Sequence, residues 1–429
     1  MKKYTLTLLM FGLLVLVIPG RAQEGDTLLV DWQDEVGDVE INALRNAIAN
    51  DTDRPEGRVY KLMAGGFYWN SDRIENEGFH LRIVGEEPDP VEGGNPAVIQ
   101  MVENEAAFVD SRMITGLDDI TLKNLWITGA DNSGVMTSYQ PIQVDASNSR
   151  FVIENVVFER SNFALIAFTG TNNDIFINDC NFRNLIGRPS TQQWEGRGTS
   201  IWADQDTVIV ENNTFFNIGM TPFQLEGGAG NYVRFNHNTL VNIGRSLNAG
   251  SWWIEAYFAN NLIINGFWHG EGLADVTDPN RDPRAYYSGM FSIGELPAQY
   301  GPEEGRRIVF ANTASWRDPA FAEFYADTIR AQPFANTITR EFFDTYEQMV
   351  VTDTMWLDSR PELGTYFEDE QINSMINNIN DLRTGTIPAT PYFWMLPENP
   401  DGSLCHVCVS WPLPEDFSYT DPNLLTAGT

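Results

Sequence analysis

The chain has 429 residues, of which 59 are acidic and 27 basic, so its formal net charge is −32 at pH 7. A surface this acidic repels the phosphates of nucleic acids and anionic membranes, which argues against both as partners. Three cysteines in so long a chain are too few for a disulfide framework.

The first 22 residues are typical of a secretory signal. Lys2 and Lys3 precede an apolar run at 8–19, and small residues at Gly20 and Ala22 form a cleavage site. The run is too short for a membrane anchor, and no other segment is a candidate to span a membrane. We therefore expect cleavage near Ala22, no membrane insertion, and a secreted, periplasmic or cell-surface protein.

An amphipathic helix follows at 36–50. Its apolar residues fall on one helical face, which predicts a cap that covers the first strands of the fold. The residues of this face are Ile41, Leu44, Ala47 and Ile48.

Six runs in the middle of the chain alternate apolar and polar residues with a period of two, which predicts strands. They recur at intervals of 23–33 residues, a spacing typical of a solenoid in which each repeat is one turn. The sequence therefore predicts an all-β parallel β-helix. The runs are 120–127, 151–158, 175–182, 208–215, 233–240 and 256–263.

Each run contains a polar corner residue, most often asparagine. Asparagine tolerates the left-handed backbone region, and stacked amides in successive turns can form a hydrogen-bonded ladder. His237 occupies the same position, so we interpret it as a member of the ladder in preference to a catalytic base. The equivalent corner residues are Asn155, Asp179, Asn212, His237 and Asn260.

This pattern resembles the pectate-lyase superfamily of right-handed parallel β-helices. The resemblance extends to 58–87, where a strand is followed by the turn Gly65-Gly66-Phe67 and by a strand ending in Val84-Gly85-Glu86. It covers about 36–315 and implies the fold, which in this superfamily carries lyases, hydrolases, esterases and adhesive spikes. The W-I-D-H, G-H-G, R-I-K and Y-Q-D-T motifs of its enzyme families are absent here.

The chain is thus divided into a signal peptide (1–22), a right-handed parallel β-helix (23–315) and a C-terminal extension (316–429). The extension contains a helical pattern at 365–384, with Thr365 and Glu368 as a capping box. We expect it to pack on the outside of the solenoid and to cover the exposed strands at its end. Cys180 fits a buried core position, whereas Cys405 and Cys408 fit a local disulfide or two free thiols.

Outward-facing polar residues on neighbouring strands predict a sugar-binding wall. Gln143, Trp202 and Gln224 are the candidate substrate-binding residues. Carboxylates close to them are candidate ligands of a Ca²⁺ ion, because oxygen atoms are the ligands that this ion prefers. These carboxylates belong to Asp204, Asp206 and Glu226.

Three arginines are the candidate catalytic residues. Arg188 and Arg245 follow equivalent corners two turns apart, on the order of 10 Å, and Arg197 lies in an enlarged loop beside the acids. The resemblance implies this role, because uronate lyases of the superfamily take the C5 proton with an Arg or Lys near its neutral form. A base and an electropositive partner must converge for this step.

These features predict a secreted enzyme that cleaves uronic-acid-containing polysaccharide by β-elimination, with Ca²⁺ as a cofactor. Two alternatives stay open: a non-catalytic carbohydrate-binding or surface structural β-helix, and a glycoside hydrolase that uses paired carboxylates such as Asp204, Asp206 and Glu226. The predicted partner is an acidic polysaccharide. A solenoid with capped ends needs no partner subunit, so we expect a monomer.

Overall fold

A computed structural model describes residues 26–89, 94–136, 140–185, 195–249, 252–269, 289–325, 334–352, 354–365, 369–384, 397–403, 405, 407–422 and 424. The predicted signal peptide lies outside these residues. Parallel strands dominate the described part of the chain, which is mostly β and compatible with the all-β prediction. In this part, no helix is long and apolar enough to cross a membrane.

The first half of the chain contains short strands that follow one another closely. They are β1 (Thr27–Val30), β2 (Val59–Leu62), β3 (Phe67–Asn70), β4 (Ile74–Glu75), β5 (Leu81–Gly85), β6 (Ala97–Met101), β7 (Ile114–Gly116), β8 (Ile120–Thr128), β9 (Ile142–Val144), β10 (Arg150–Glu159), β11 (Ala164–Phe168), β12 (Asp174–Asn178), β13 (Asn181–Leu185) and β14 (Arg197–Ile201).

The remaining strands continue the same pattern. They are β15 (Gln205–Glu211), β16 (Thr214–Ile218), β17 (Phe223–Leu225), β18 (Ala229–Asn236), β19 (Thr239–Ile243), β20 (Asn248–Ala249), β21 (Trp252–Ala259), β22 (Leu262–Gly266), β23 (Arg307–Ala311), β24 (Ala314–Trp316), β25 (Met349–Thr352) and β26 (Met355–Trp356).

The strands pair in three parallel stacks, which the chain visits in turn. The first stack is β1, β2, β5, β8, β10, β12, β15, β18, β21, β23 and β25. The second is β3, β6, β8, β10, β13, β16, β19, β22, β24 and β26. β8 and β10 run through both stacks and join them into one nineteen-stranded sheet, while β4, β7, β9, β11, β14, β17 and β20 form the third stack.

Alternation of side chains explains why these segments stack. The first two predicted runs lie in β8 and β10, and each of the other four covers one strand of the first stack and one of the second. In the first stack, equivalent apolar residues pair from strand to strand and are buried, and Phe235 and Phe258 stack with their ring centroids 5.0 Å apart. This column consists of Ile153, Ile177, Val210, Phe235, Phe258 and Phe310.

The corner residues have the left-handed backbone that the sequence predicts. Asn155, Asp179, Asn212, His237 and Asn260 all have φ between 53° and 56°. A buried amide ladder, however, lies one residue later. There Asn213 donates to Asn238 Oδ1 at 3.1 Å, and Asn238 donates to Asn261 Oδ1 at 3.3 Å. The residue after the bend points inward, so its amide rather than that of the corner residue satisfies buried backbone groups.

The N-terminal helix α1 (Ala43–Asn50) is shorter than the sequence predicts. Leu44 and Ile48 are buried in the main core, and α1 contacts β1 and β3, which agrees with a capping role. Ile41 lies outside the helix and is 47% exposed. The predicted apolar face therefore loses its first residue, because the helix begins only after Asn42, which has a left-handed backbone.

The C-terminal extension contains α2 (Pro319–Tyr325), α3 (Thr337–Thr345) and α4 (Asp369–Thr384), and short 3-10 helices at Ala298–Tyr300 and Glu303–Gly305 precede it. Apolar residues of α4 pack against the outer face of the second stack; they include Ile372, Met375 and Ile379. Glu368 of the predicted capping box lies outside the described residues. β25 and β26 continue the first and second stacks beyond residue 315.

The tail from Cys405 onward runs along the outer face of the second stack. Cys405 and Cys408 form a disulfide, and Trp411 and Leu413 pack with Trp126. Further along, the buried Glu415 carboxylate pairs with Arg183, with an Nε–Oε1 distance of 2.7 Å. Cys180 is a buried free thiol, as the sequence predicts, and burial raises its pKa to about 12.

Candidate functional site

The side of the third stack that faces away from the core carries polar and aromatic residues. Gln143, Ala167, Ser200 and Gln224 pair in register on β9, β11, β14 and β17. Two residues further along each strand, the same side carries exposed or half-buried residues, and we call this surface the third-stack face. These residues are Asp145, Thr169, Trp202 and Glu226.

Two amide–carboxylate pairs lie on this face in the same arrangement. Gln143 donates from Nε2 to Asp145 Oδ1 at 2.6 Å, and Gln224 donates from Nε2 to Glu226 Oε2. Gln143 is 7% exposed and Gln224 is 1% exposed, so the glutamines themselves offer little surface to a ligand. Their effect is to orient the exposed carboxylates.

The Trp202 ring is held from two sides. Its Nε1 donates to Ser200 Oγ, and Phe163 makes an edge-on contact with its ring at a centroid distance of 5.8 Å. The ring nevertheless stays 45% exposed. A large aromatic surface is thereby fixed in one orientation while it remains open to a ligand.

Arg197 connects the aromatic residue to the neighbouring carboxylate. Its Nη1 lies 3.2 Å from Ser200 Oγ and 3.6 Å from Glu226 Oε2, and the guanidinium stacks over Phe163 at 4.8 Å. Arg197 is 6% exposed. Its charge therefore acts from beneath the face and partly compensates the exposed carboxylate of Glu226.

A loop that follows β22 reaches back to the edge of the face. Tyr300 donates from its hydroxyl to Asp204 Oδ1 at 2.7 Å, and its ring lies 5.8 Å from that of Trp252. Burial, followed by the hydrogen bond to Asp204, raises the pKa of Tyr300. Tyr300 therefore donates its proton to Asp204 throughout the neutral range.

Six of the nine site residues predicted from the sequence lie on the third-stack face or at its edges: Gln143, Arg197, Trp202, Asp204, Gln224 and Glu226. Arg245 does not join them at the surface. It is 2% exposed, and its backbone N–H donates to Met220 O at 2.8 Å. Arg188 lies outside the described residues. Asp206 lies on β15 rather than on the third-stack face, and its Oδ1 accepts from Asn231 at 3.0 Å.

The three predicted calcium ligands have separate partners. Asp204 Oδ1 accepts from the backbone of Ala229 at 2.7 Å as well as from Tyr300, and Glu226 is bound by Gln224. Within the described ranges, no three His, Cys, Asp or Glu side chains lie close enough together to hold a metal ion. These residues do not fit a calcium site as they stand, and calcium stays a prediction.

Several residues of this site were missed by the sequence interpretation. Ser200 precedes Trp202 by two residues in the same alternating run, so its position on the face could have been read from the period of two. Phe163 and Tyr300 gave no such signal, because Phe163 lies in a corner and Tyr300 in an insertion without repeat pattern. Their contacts arise only from the stacking of distant segments.

Comparison with models of known protein families yields no match, and neither does comparison with characterised proteins. Function must therefore be argued from the geometry of the site.

Proposed function

We propose that this protein is an exported right-handed parallel β-helix that binds polysaccharide along its third-stack face. The observation that supports this most is the Trp202 ring, which is fixed by Ser200 and exposed beside Glu226 on the neighbouring strand. Three parallel stacks visited in turn by the chain are what a β-helix requires.

The chemistry of the face suits a sugar polymer. A sugar ring has an apolar face that packs on an aromatic side chain, and hydroxyl groups at its edge that donate to carboxylates. The oriented carboxylates of Asp145 and Glu226 supply such acceptors. Strands repeat about every 4.8 Å along the stack, so the face offers a long array to a ligand that is itself a repeating chain.

We further propose uronic-acid-containing polysaccharide as the substrate and β-elimination as the reaction. A base removes the C5 proton, the electrons form a double bond between C4 and C5, and the C4 oxygen leaves with the neighbouring sugar. Arg197 favours this reaction because its guanidinium can stabilise the negative charge that develops beside the uronate carboxylate. Its contacts with Ser200 and Glu226 fix its position.

Binding without cleavage is the second candidate, and the burial of Arg197 favours it. A guanidinium that is 6% exposed and hydrogen-bonded to Ser200 is poorly placed to reach a substrate proton. Hydrolysis by the carboxylates predicted from the sequence stays a hypothesis, and for the pair Asp145 and Glu226 it is disfavoured by distance. Their strands, β9 and β17, are three steps apart in the stack, about 14 Å, whereas paired glycosidase carboxylates lie about 5–9.5 Å apart.

The experiment is incubation of the signal-free protein with pectic, alginate, ulvan and glycosaminoglycan polymers, with and without Ca²⁺. Ultraviolet absorbance of unsaturated uronate ends, new reducing ends and binding are measured together. A rise in both products supports the lyase, and dependence of that rise on Ca²⁺ supports the predicted ion. Binding without product supports the second candidate, reducing ends alone indicate hydrolysis, and absence of binding to every polymer contradicts the proposal.

A further inference from the structure

A cavity lies at the end of the strand stacks that is distant from α1. It has a volume of about 360 Å³, near the lower end of the range for small-molecule pockets. Aromatic and aliphatic side chains form most of its lining, and Arg340 and Asp344 of α3 are also part of it. The third-stack face contributes no residue to this cavity.

The cavity exists because the apolar column of the first stack changes size at its last step. On one side, the Phe310 ring stacks on Phe258 at 4.9 Å, almost parallel. On the other side its partner in register is Val351 of β25, which is too small to cover the ring. Val351 is itself 45% exposed, because among the described residues no further strand of the first stack pairs with β25.

Aromatic residues from outside the column surround the open face of Phe310. Phe291 lies 4.6 Å from it and Phe334 lies 4.8 Å from it, both measured between ring centroids. Trp356 of β26 meets Phe334 edge-on at 6.3 Å and is 51% exposed. The result is an aromatic chamber, open to solvent, whose walls match a flat apolar ring.

Arg340 places a cation at this chamber, and the described part of the chain gives it no acidic partner. Arg340 is exposed, and its Nη2 makes a long contact of 3.4 Å to Thr337 Oγ1. Among the described residues, no carboxylate lies within ion-pair distance of its guanidinium, even though the chain has 59 acidic residues. Asp344, one helical turn further, lines the same cavity, and its carboxylate repels a ligand that carries more than one negative charge.

We propose that this cavity binds a small amphipathic anion, with an aromatic or aliphatic ring in the chamber and one carboxylate or sulfonate at Arg340. Burial of the ring supplies most of the affinity, since the removal of apolar surface from water is favourable. The exposed Arg340 adds selectivity for one negative charge rather than strong binding. The chamber is too small for a folded partner, which favours a small molecule.

Two fluorescent probes test this proposal: 8-anilinonaphthalene-1-sulfonate, an aromatic anion, and N-phenyl-1-naphthylamine, a neutral compound with the same ring system. Both are expected to bind the folded protein at one site. Arg340→Gln is expected to weaken the anionic probe about two- to fivefold and to leave the neutral probe unchanged. Asp344→Asn is expected to tighten the anionic probe or leave it unchanged.

The location of the probe-binding site is tested with two variants of β25. Val351→Trp fills the chamber and is expected to abolish binding of both probes. Val350→Trp is the matched control, because Val350 is also exposed but does not line the cavity. Near-ultraviolet circular dichroism of each variant checks that the fold is retained.

Three results would overturn the proposal. They are equal binding by wild type and a folded Val351→Trp variant, an equal effect of Arg340→Gln on both probes, and failure of the wild type to bind either probe. If sedimentation shows a dimer that dissociates in Val351→Trp, the chamber is instead an interface between copies of this chain.

Discussion

The side-chain Nε2 of Gln143 lies 2.6 Å from Oδ1 of Asp145, two residues further along the chain on the same face. Gln224 makes the same contact with Glu226, three strands away in the stack. A repeated amide–carboxylate pair fixes the direction of each carboxylate. The carboxylates therefore lose less conformational entropy when a sugar chain binds. The face therefore presents acceptors whose orientation is set before any ligand arrives.

Gln224→Met tests this arrangement. The change removes the donor to Glu226 but keeps the shape of the side chain, and it also removes a buried Oε1 that has no partner. Stability is therefore expected to change little. Affinity for the polysaccharide identified in the binding panel should fall a few-fold, because Glu226 then keeps only its longer contact with Arg197 and becomes less well oriented. Calorimetry measures the affinity, and unchanged binding would show that the pair does not orient a ligand contact.

Trp202→Ala should weaken polysaccharide binding by at least about tenfold, because central aromatic residues carry a large share of binding energy. The ring is exposed, so thermal stability should change only slightly. Trp356→Ala is the matched control, since Trp356 is similarly exposed but lies at the distant end of the stacks. Equal losses of affinity in the two variants would rule out the third-stack face as the binding surface.

Arg197→Ala separates catalysis from structure. The guanidinium is nearly buried and bonded to Ser200 Oγ, so its removal should cost about 1–3 kcal/mol of unfolding free energy. If the protein is a lyase, turnover should also fall far more than binding. Proportional losses of binding and turnover would leave Arg197 with a structural role only.

The repeats could be predicted from the sequence because their cause is local. Alternation of apolar residues defines each strand, and a left-handed residue, most often asparagine, marks each corner, so both signals lie within a few residues. The candidate face was also found, since Gln143, Trp202 and Gln224 follow the same alternation. The alternation does not reveal how deeply a side chain is buried. It marks Gln143 and Gln224 as outward-facing, but both are almost completely buried.

Long-range contacts account for what the sequence could not predict. Arg183 and Glu415 are separated by 232 positions and form a buried ion pair that no local pattern signals. Tyr300 reaches Asp204 from an insertion between two strands, 96 positions away. Such contacts depend on how the tail and the loops pack against the strand stacks. Neither composition nor periodicity predicts them.

Val210→Asp tests the stacked column. Val210 is 1% exposed and lies in register between Ile177 and Phe235. An aspartate there buries a carboxylate without a partner, so the unfolding free energy should fall by about 4 kcal/mol or more. Ile209→Asp is the control, because the neighbouring side chain points away from the core and is half-buried. Urea unfolding of both variants gives the comparison, and similar losses would contradict the alternation of the column.

Glu415 gives the fold a dependence on pH that can be measured. Burial raises the pKa of its carboxyl above the ordinary value, and the ion pair with Arg183 offsets only part of this rise. Glu159 faces the same guanidinium and raises the pKa of Glu415 further, and Arg160 pairs with Glu159. The folded protein therefore holds the Glu415 proton more tightly than the unfolded chain does.

The sign of the effect follows from this difference. The contribution of Glu415 to stability is fully present below its unfolded pKa, about 4.3, and is lost as the pH rises through the higher folded pKa. Glu415→Gln stays neutral throughout, so the stability of wild type minus that of the variant should fall as the pH rises from 4 towards 7. Asp416→Asn is the control with opposite sign, because hydrogen bonds from Ser418 lower the pKa of that exposed carboxyl. A wild-type advantage over Glu415→Gln that grows with pH would mean that attraction to Arg183 outweighs the cost of burial.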